Sequence, residues 1–140
     1  MKKILIITLV CMILCFTACS ARLPYDLEGT DSIEIHAYGN ESAEPVAEFV
    51  VKGEDAERIV EMFSSLKLKE MNYTEPSIRG YEFWFRNENG DEIAKIELPY
   101  GHYPWVAVGG SVYQDVNSGI DTEYLAQLVD IASTSGPMVK

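Results

Sequence analysis

Cysteine is confined to the start of the chain. Cys11, Cys15 and Cys19 are the three present in 140 residues, and nothing after position 19 adds another. The region beyond that point therefore has no internal disulfide, no cysteine nucleophile and no cysteine-based zinc centre. Histidine is as scarce. His36 and His102 are the two in the chain, and they lie far apart with no spacing that pairs them with other ligands. A tetrahedral zinc site needs such a cluster. Positive charge is also short, with 11 Lys and Arg against 22 Asp and Glu, a net charge of −11. That balance argues against charge-driven binding of nucleic acid or anionic lipid headgroups. Gly-x-Ser-x-Gly and His-Glu-x-x-His are absent, so two common hydrolase signatures are missing. Asn87–Glu92 superficially suggests a calcium loop. In that register Gly90 is the sixth position, which sets Phe85 and Ile96 where carboxylates must stand. No cofactor is expected.

What is present begins with a leader. Lys2 and Lys3 precede an uncharged run from Ile4 to Ala18. A charged start followed by a short apolar core is the pattern of a secretory signal. The run of fifteen residues is short of the roughly 20 that a spanning helix needs. It ends in Phe16-Thr17-Ala18-Cys19. This segment resembles the lipobox of bacterial lipoproteins, an apolar residue and two small ones before a cysteine, with Phe16 standing where the family usually has Leu. The resemblance implies a diacylglycerol on the Cys19 thiol, cleavage before Cys19, and attachment to the outer face of the cell membrane. Residues 1–18 are then the discarded signal peptide, and 19–30 the lipidated cysteine and its tether. Loss of Lys2 and Lys3 leaves nine basic residues against 22 acidic ones, a net charge of −13. A cationic peptide, a basic protein surface or Ca²⁺ would suit that charge, although it also simply keeps a domain soluble.

Residues 31–133 read as one α+β domain, with 134–140 as a flexible tail. Ile33, Ile35 and Ala37 alternate with Glu34, His36 and Tyr38, the period of a half-buried strand. Val46 to Val51 repeats the pattern. After Gly53 the period lengthens: Ala56, Ile59, Val60, Phe63 and Leu66 share a helical face, and Glu54 and Asp55 suit the positive end of its dipole. Leu66 to Tyr73 is again extended. Tyr81, Phe83 and Phe85 alternate with Glu82, Trp84 and Arg86, and Asn89-Gly90 then marks a hairpin into Ile93–Leu98. Trp105–Val108, Gly109-Gly110 and Val112–Gln114 form a second hairpin. Asp121 is placed to cap a last helix carrying Leu125, Leu128 and Val129. The order ββαβββββα, with short turns between strands, predicts a two-layer domain: a mainly antiparallel sheet of about seven strands, with two amphipathic helices on one face. This order, with its aromatic strand, Asn-Gly turn, Gly-Gly hairpin and final helix opening at Ile120-Asp121, resembles small lipoprotein domains of unassigned function from Gram-positive bacteria. That likeness implies a fold and no active site.

The most unusual stretch is Pro99-Tyr100-Gly101-His102-Tyr103-Pro104-Trp105. Rings held between prolines offer contact area at little entropic cost. They equally stiffen a strand connection. With Phe83 and Phe85 turned inward, Trp84 and Arg86 fall on the open face, where Trp84 either joins Trp105 or Tyr113 in a patch or covers its neighbours. The expected ligand-binding set is thus Trp84, Arg86, Tyr100, His102, Tyr103, Trp105 and Tyr113, and His36 is a strand residue on the solvated face. The expected role is a non-enzymatic module binding a peptide, a protein or a cell-envelope component. Such a module should show an exposed aromatic patch and no buried titratable pair. The alternative is a cell-envelope hydrolase using acidic residues and His102. The acidic helix residues Glu54, Asp55, Glu57 and Glu61 read as a solvated face.

Overall fold

The computed structural model describes residues 23, 26–39, 43–72, 79–99 and 105–134. Cys19 and the Tyr100, His102 and Tyr103 positions lie outside them. In chain order the elements are β1 (Ser32–Tyr38), β2 (Pro45–Lys52), α1 (Glu54–Ser64), β3 (Leu68–Met71), β4 (Arg79–Arg86), β5 (Glu92–Pro99), β6 (Trp105–Val108), β7 (Ser111–Asp115) and α2 (Thr122–Thr134). The strands form one seven-stranded antiparallel sheet in the order β2-β1-β4-β5-β6-β7-β3. The α+β reading from alternation is thereby established, element for element. β3 covers Leu68–Met71 of the expected Leu66–Tyr73, whose last residue lies outside the described ones. Leu66 is already buried between helix and strand.

Turn chemistry fixes the hairpins. Gly109 and Gly110 both take positive φ, 58° and 84°, which is what a two-residue turn between Val108 and Ser111 requires. In the β4–β5 connection Gly90 alone does so, at φ 84°. The rest is organised by the Asn87 side chain, whose Oδ1 accepts from the Asn89 and Asp91 amides at 3.0 and 2.9 Å. Between β2 and α1, Gly53 at φ 57° redirects the chain, and no side chain caps the helix. Asp121 does cap α2, its Oδ1 accepting from the Tyr124 amide at 2.9 Å.

Both helices cover the same sheet face. Ala56, Ile59, Met62 and Phe63 of α1 and Tyr124, Leu125 and Leu128 of α2 pack on Ile33, Ile35, Phe83, Phe85, Ile96, Leu98 and Val106. The Phe63 ring meets Phe83 at 5.0 Å and Phe85 at 5.7 Å, both edge-on. Each such pair adds about 0.5–1.5 kcal/mol beyond the area it buries. The helices are also joined at the surface. Tyr124 donates to Asp55 at 2.7 Å, and Arg58 lies 3.7 Å over the Tyr124 ring while pairing with Asp121 at 3.2 Å. Burial, then the Asp55 hydrogen bond, pushes the Tyr124 hydroxyl up to about 12.

Two expected boundaries move. Leu27, assigned to the tether, is buried in the core, and the Thr30 hydroxyl donates to its carbonyl at 2.7 Å. A lone apolar residue among polar neighbours shows no period, so alternation misses it. Thr134, assigned to the tail, is the last residue of α2.

Candidate functional site

No helix or strand among the described residues covers the other face of the sheet. Side chains there come from alternate positions of neighbouring strands. β1 supplies Glu34, His36 and Tyr38, β4 supplies Glu82, Trp84 and Arg86, and β5 supplies Lys95 and Glu97. Register sets Glu34 beside Trp84, His36 beside Glu82, Trp84 beside Lys95 and Glu82 beside Glu97. The acid–base contacts run diagonally, Arg86 to Glu34 and Lys95 to Glu82, and Lys95 bridges the two directly opposed acids Glu82 and Glu97.

The centre of this lattice is Glu82, only 3% exposed. It accepts from the Tyr38 hydroxyl at 2.8 Å and from the Lys95 ammonium at 3.2 Å, with the Arg79 guanidinium at 3.7 Å. Lys95 also donates to Glu97 at 2.6 Å. Burial alone would lower the Lys95 pKa, but the bonds to Glu97 and Glu82 outweigh it and hold the ammonium above its ordinary range. Tyr38 is held above its usual value by burial and by the Glu82 carboxylate. A second group lies toward the β4–β5 turn, where Arg86 donates to Glu34 through two nitrogens at 2.8 and 3.2 Å. His36 shares the other Glu34 oxygen at 3.0 Å. Burial would raise the Glu34 pKa, yet the bonds from Arg86 and His36 bring it below the carboxylate norm.

Trp84 ties the two groups together. Its ring lies 4.3 Å from His36 and 4.9 Å from the Lys95 ammonium. His36 comes from β1 and Lys95 from β5, strands that flank β4 on opposite sides. The indole is thus contacted from both flanks and is half-buried. No family model, no curated protein and no solved structure matches this chain. The geometry of the open face therefore carries the functional reading.

The expected site residues are partly brought together. Trp84 and Arg86 stand on the open face, joined through Glu34 and His36. Trp105 is on the same face, half-buried, since it pairs with Gln114 and alternates with the buried Val106. It is not beside Trp84. Trp105 lies two strands away and about four residues further along, since Glu97 pairs with Ala107, which is roughly 16 Å at standard strand spacings. Tyr113 corrects the expectation outright: it pairs with Val106, faces the helices and packs on the core. An aromatic patch of Trp84 with Tyr113 is therefore not formed. His36 keeps its expected face, but neighbours leave only 19% of its side chain exposed. The expectation that this face holds no buried titratable pair also fails, since Tyr38 and Glu82 are both buried.

Sequence reasoning missed Tyr38, Glu82, Lys95 and Glu97. Alternation already placed Glu82 with Trp84, and extending the Asn-Gly hairpin register to β5 would have set Lys95 and Glu97 opposite them. Beside Lys95 the sheet opens. β5 and β6 meet at a single register pair, Glu97 with Ala107. Where they part, an open cavity of ≈ 350 Å³ is lined by Lys95, Glu97, Ala107, Gly109 and Gly110 among others. Small residues on the β6 side create that room.

Proposed function

We propose that this chain is a lipid-tethered extracytoplasmic module that binds a peptide, protein or cell-envelope component through the open face of its sheet. The observation that carries the interaction role is the one-sided coverage of the sheet. Both helices pack on one face, and the other carries a set of ionic and aromatic groups held in fixed positions. Supporting a non-enzymatic role, these groups engage one another: Lys95 is bound by two carboxylates, Arg86 by Glu34, and Tyr38 by Glu82. Trp84, the Lys95–Glu97 pair and the adjacent cavity then form one continuous recognition strip, with Trp105 at its far end.

The anchor reading rests on Phe16-Thr17-Ala18-Cys19. No helix among the described residues is long and apolar enough to cross a membrane. The tether after Cys19 is shorter than the sequence implied. With Leu27 in the core and Leu23 packed against it, Ser20–Arg22 is left, which spans roughly 10–11 Å at most.

Mass spectrometry of the native chain tests the anchor: a diacylglyceryl-modified Cys19 as first residue is expected, and Cys19→Ser should move the protein from the membrane fraction to the medium. An intact leader or an unmodified thiol would remove the assignment. Affinity capture from solubilised membranes tests the face. A partner retained by the native chain and lost with Trp84→Ala or Lys95→Glu supports it, and identical partners with all three proteins reject it.

A further inference from the structure

The edge strand β2 differs from β3, the other edge. β3 is four residues long and carries Lys69 and Glu70. β2 has eight residues, and its pairing with β1 is regular from Ala47 to Lys52. The usual devices that blunt an edge are a proline, a bulge and a charge. On β2 the proline and the bulge sit at one end only, where Tyr38 shifts onto Pro45, and its two charges, Glu48 and Lys52, are of opposite sign. Exposed apolar side chains gather along this edge. The large hydrophobics most exposed among the described residues are Val46 (63%), Val50 (45%), Val116 (51%) and Ile131 (63%). The first two are on β2, and Ile131 is on α2, a helix that packs against β2.

We infer that β2 is a self-association edge, at which two copies of this chain pair antiparallel about a two-fold axis through Val50. Charge selects both partner and register. Glu48, Val50 and Lys52 lie on the same face, with Glu48 59% and Lys52 69% exposed. Centring the axis on Val50 sets Val50 against Val50 of the second copy. It also sets Glu48 against the second copy's Lys52, twice over by symmetry. On the other face Phe49 meets Val51. Centring the axis on Glu48 instead opposes two carboxylates directly, which is destabilising. An isologous interface must be complementary to itself, and the segment Glu48–Lys52 is, in the first register. The result is a sheet continuous across two chains, with the two open faces side by side. Pairing along one short edge is at the weak end of specific association, so the linked fraction should rise with the concentration of the chain.

Disulfide trapping of the full chain in expressing cells, under a mild oxidant, tests this. Val50→Cys brings two thiols opposite each other across the axis, where Cβ atoms are about 4.5–5.5 Å apart. A linked dimer is expected well above the background of the parent chain and above Glu70→Cys on the opposite edge. In the Val50→Cys background, Glu48→Lys or Lys52→Glu alone should lower the linked fraction about tenfold, because two exposed ion pairs become two repulsions. Glu48→Lys with Lys52→Glu together should restore it. Linking no greater than for Glu70→Cys, or a double swap that stays at the single-swap level, would overturn the inference. Because the thiol reporter does not depend on Cys19, failure here is distinct from failure of the lipid anchor.

Discussion

The two faces of one sheet are held by different physics. On the helix side, Phe83, Phe85, Ile96 and their neighbours are buried by shape alone, and any one of them can be traded for an apolar side chain of similar volume at modest cost. On the open side, Glu82, Lys95, Arg86 and Glu34 are held by sign and by hydrogen-bond geometry. There a residue's value depends on its partner, and removing one leaves the other desolvated and unmatched. Strand alternation alone produces both: odd positions of β1 and β4 build the core, and even positions build the ionic lattice. The open face is thus neither a bare surface nor a second core. It is a pre-arranged pattern of charge whose groups are already fixed in place.

Breaking the helix side should cost most. Phe83→Ala removes a fully buried ring that touches Phe63 and should lower unfolding free energy by about 3–5 kcal/mol, read as a shifted urea midpoint. A loss below about 1.5 kcal/mol would mean that this face is not packed as described. Next comes Glu82→Ala, which leaves the Tyr38 hydroxyl and the Lys95 ammonium without their shared acceptor. About 2–3 kcal/mol should be lost. The contrast between the faces sharpens with Glu82→Leu and Lys95→Met together. The double variant should fall short of additivity: with Glu82 gone Lys95 keeps only Glu97, so Lys95→Met should cost less in the Glu82→Leu background than in the parent chain. Additive losses would make the lattice a set of independent packing contacts like the core.

Smaller effects depend on pH. The Tyr124 hydroxyl is raised to about 12 in the fold, so its contribution is complete below the ordinary tyrosine value of about 10 and is lost as pH rises through the folded value. Tyr124→Phe should make stability less sensitive to pH across that alkaline interval, as followed by unfolding experiments and by tyrosinate absorbance. Glu34 has the opposite sign and the smallest expected effect. Its folded pKa is depressed, so its stabilisation is present above the unfolded carboxylate value of about 4.3 and fades as pH falls through the folded one. Glu34→Gln should flatten the acid limb of the stability curve. An unchanged slope would show that Arg86 and His36 do not hold that carboxylate in solution.

Much of the fold was legible because period-two alternation and turn residues are local. Ile33-Ile35, Phe83-Phe85, Gly109-Gly110 and Asp121 each announce their element within a few positions. The site was less legible because it depends on which strands become neighbours. Glu34 meets Arg86 only because β1 lies beside β4, a pairing that skips β2, α1 and β3 in the chain. Tyr113 was assigned to the wrong face since β7 is five residues long and places Val112 and Tyr113 side by side, which defeats alternation. Both are buried or half-buried, one on each face. Leu27 left no trace at all, being a single apolar position outside any period.

The path from β2 through α1 to β3 carries the chain from one border of the sheet to the other. β3 finds its hydrogen-bonding partner only in β7, the last strand made. Until β7 is made, β3 has no strand to pair with, whereas α1 already meets β4 through Phe63, Phe83 and Phe85. The four residues of β3 are therefore the last of the early segments to be fixed, and the border they form is set by the far end of the chain.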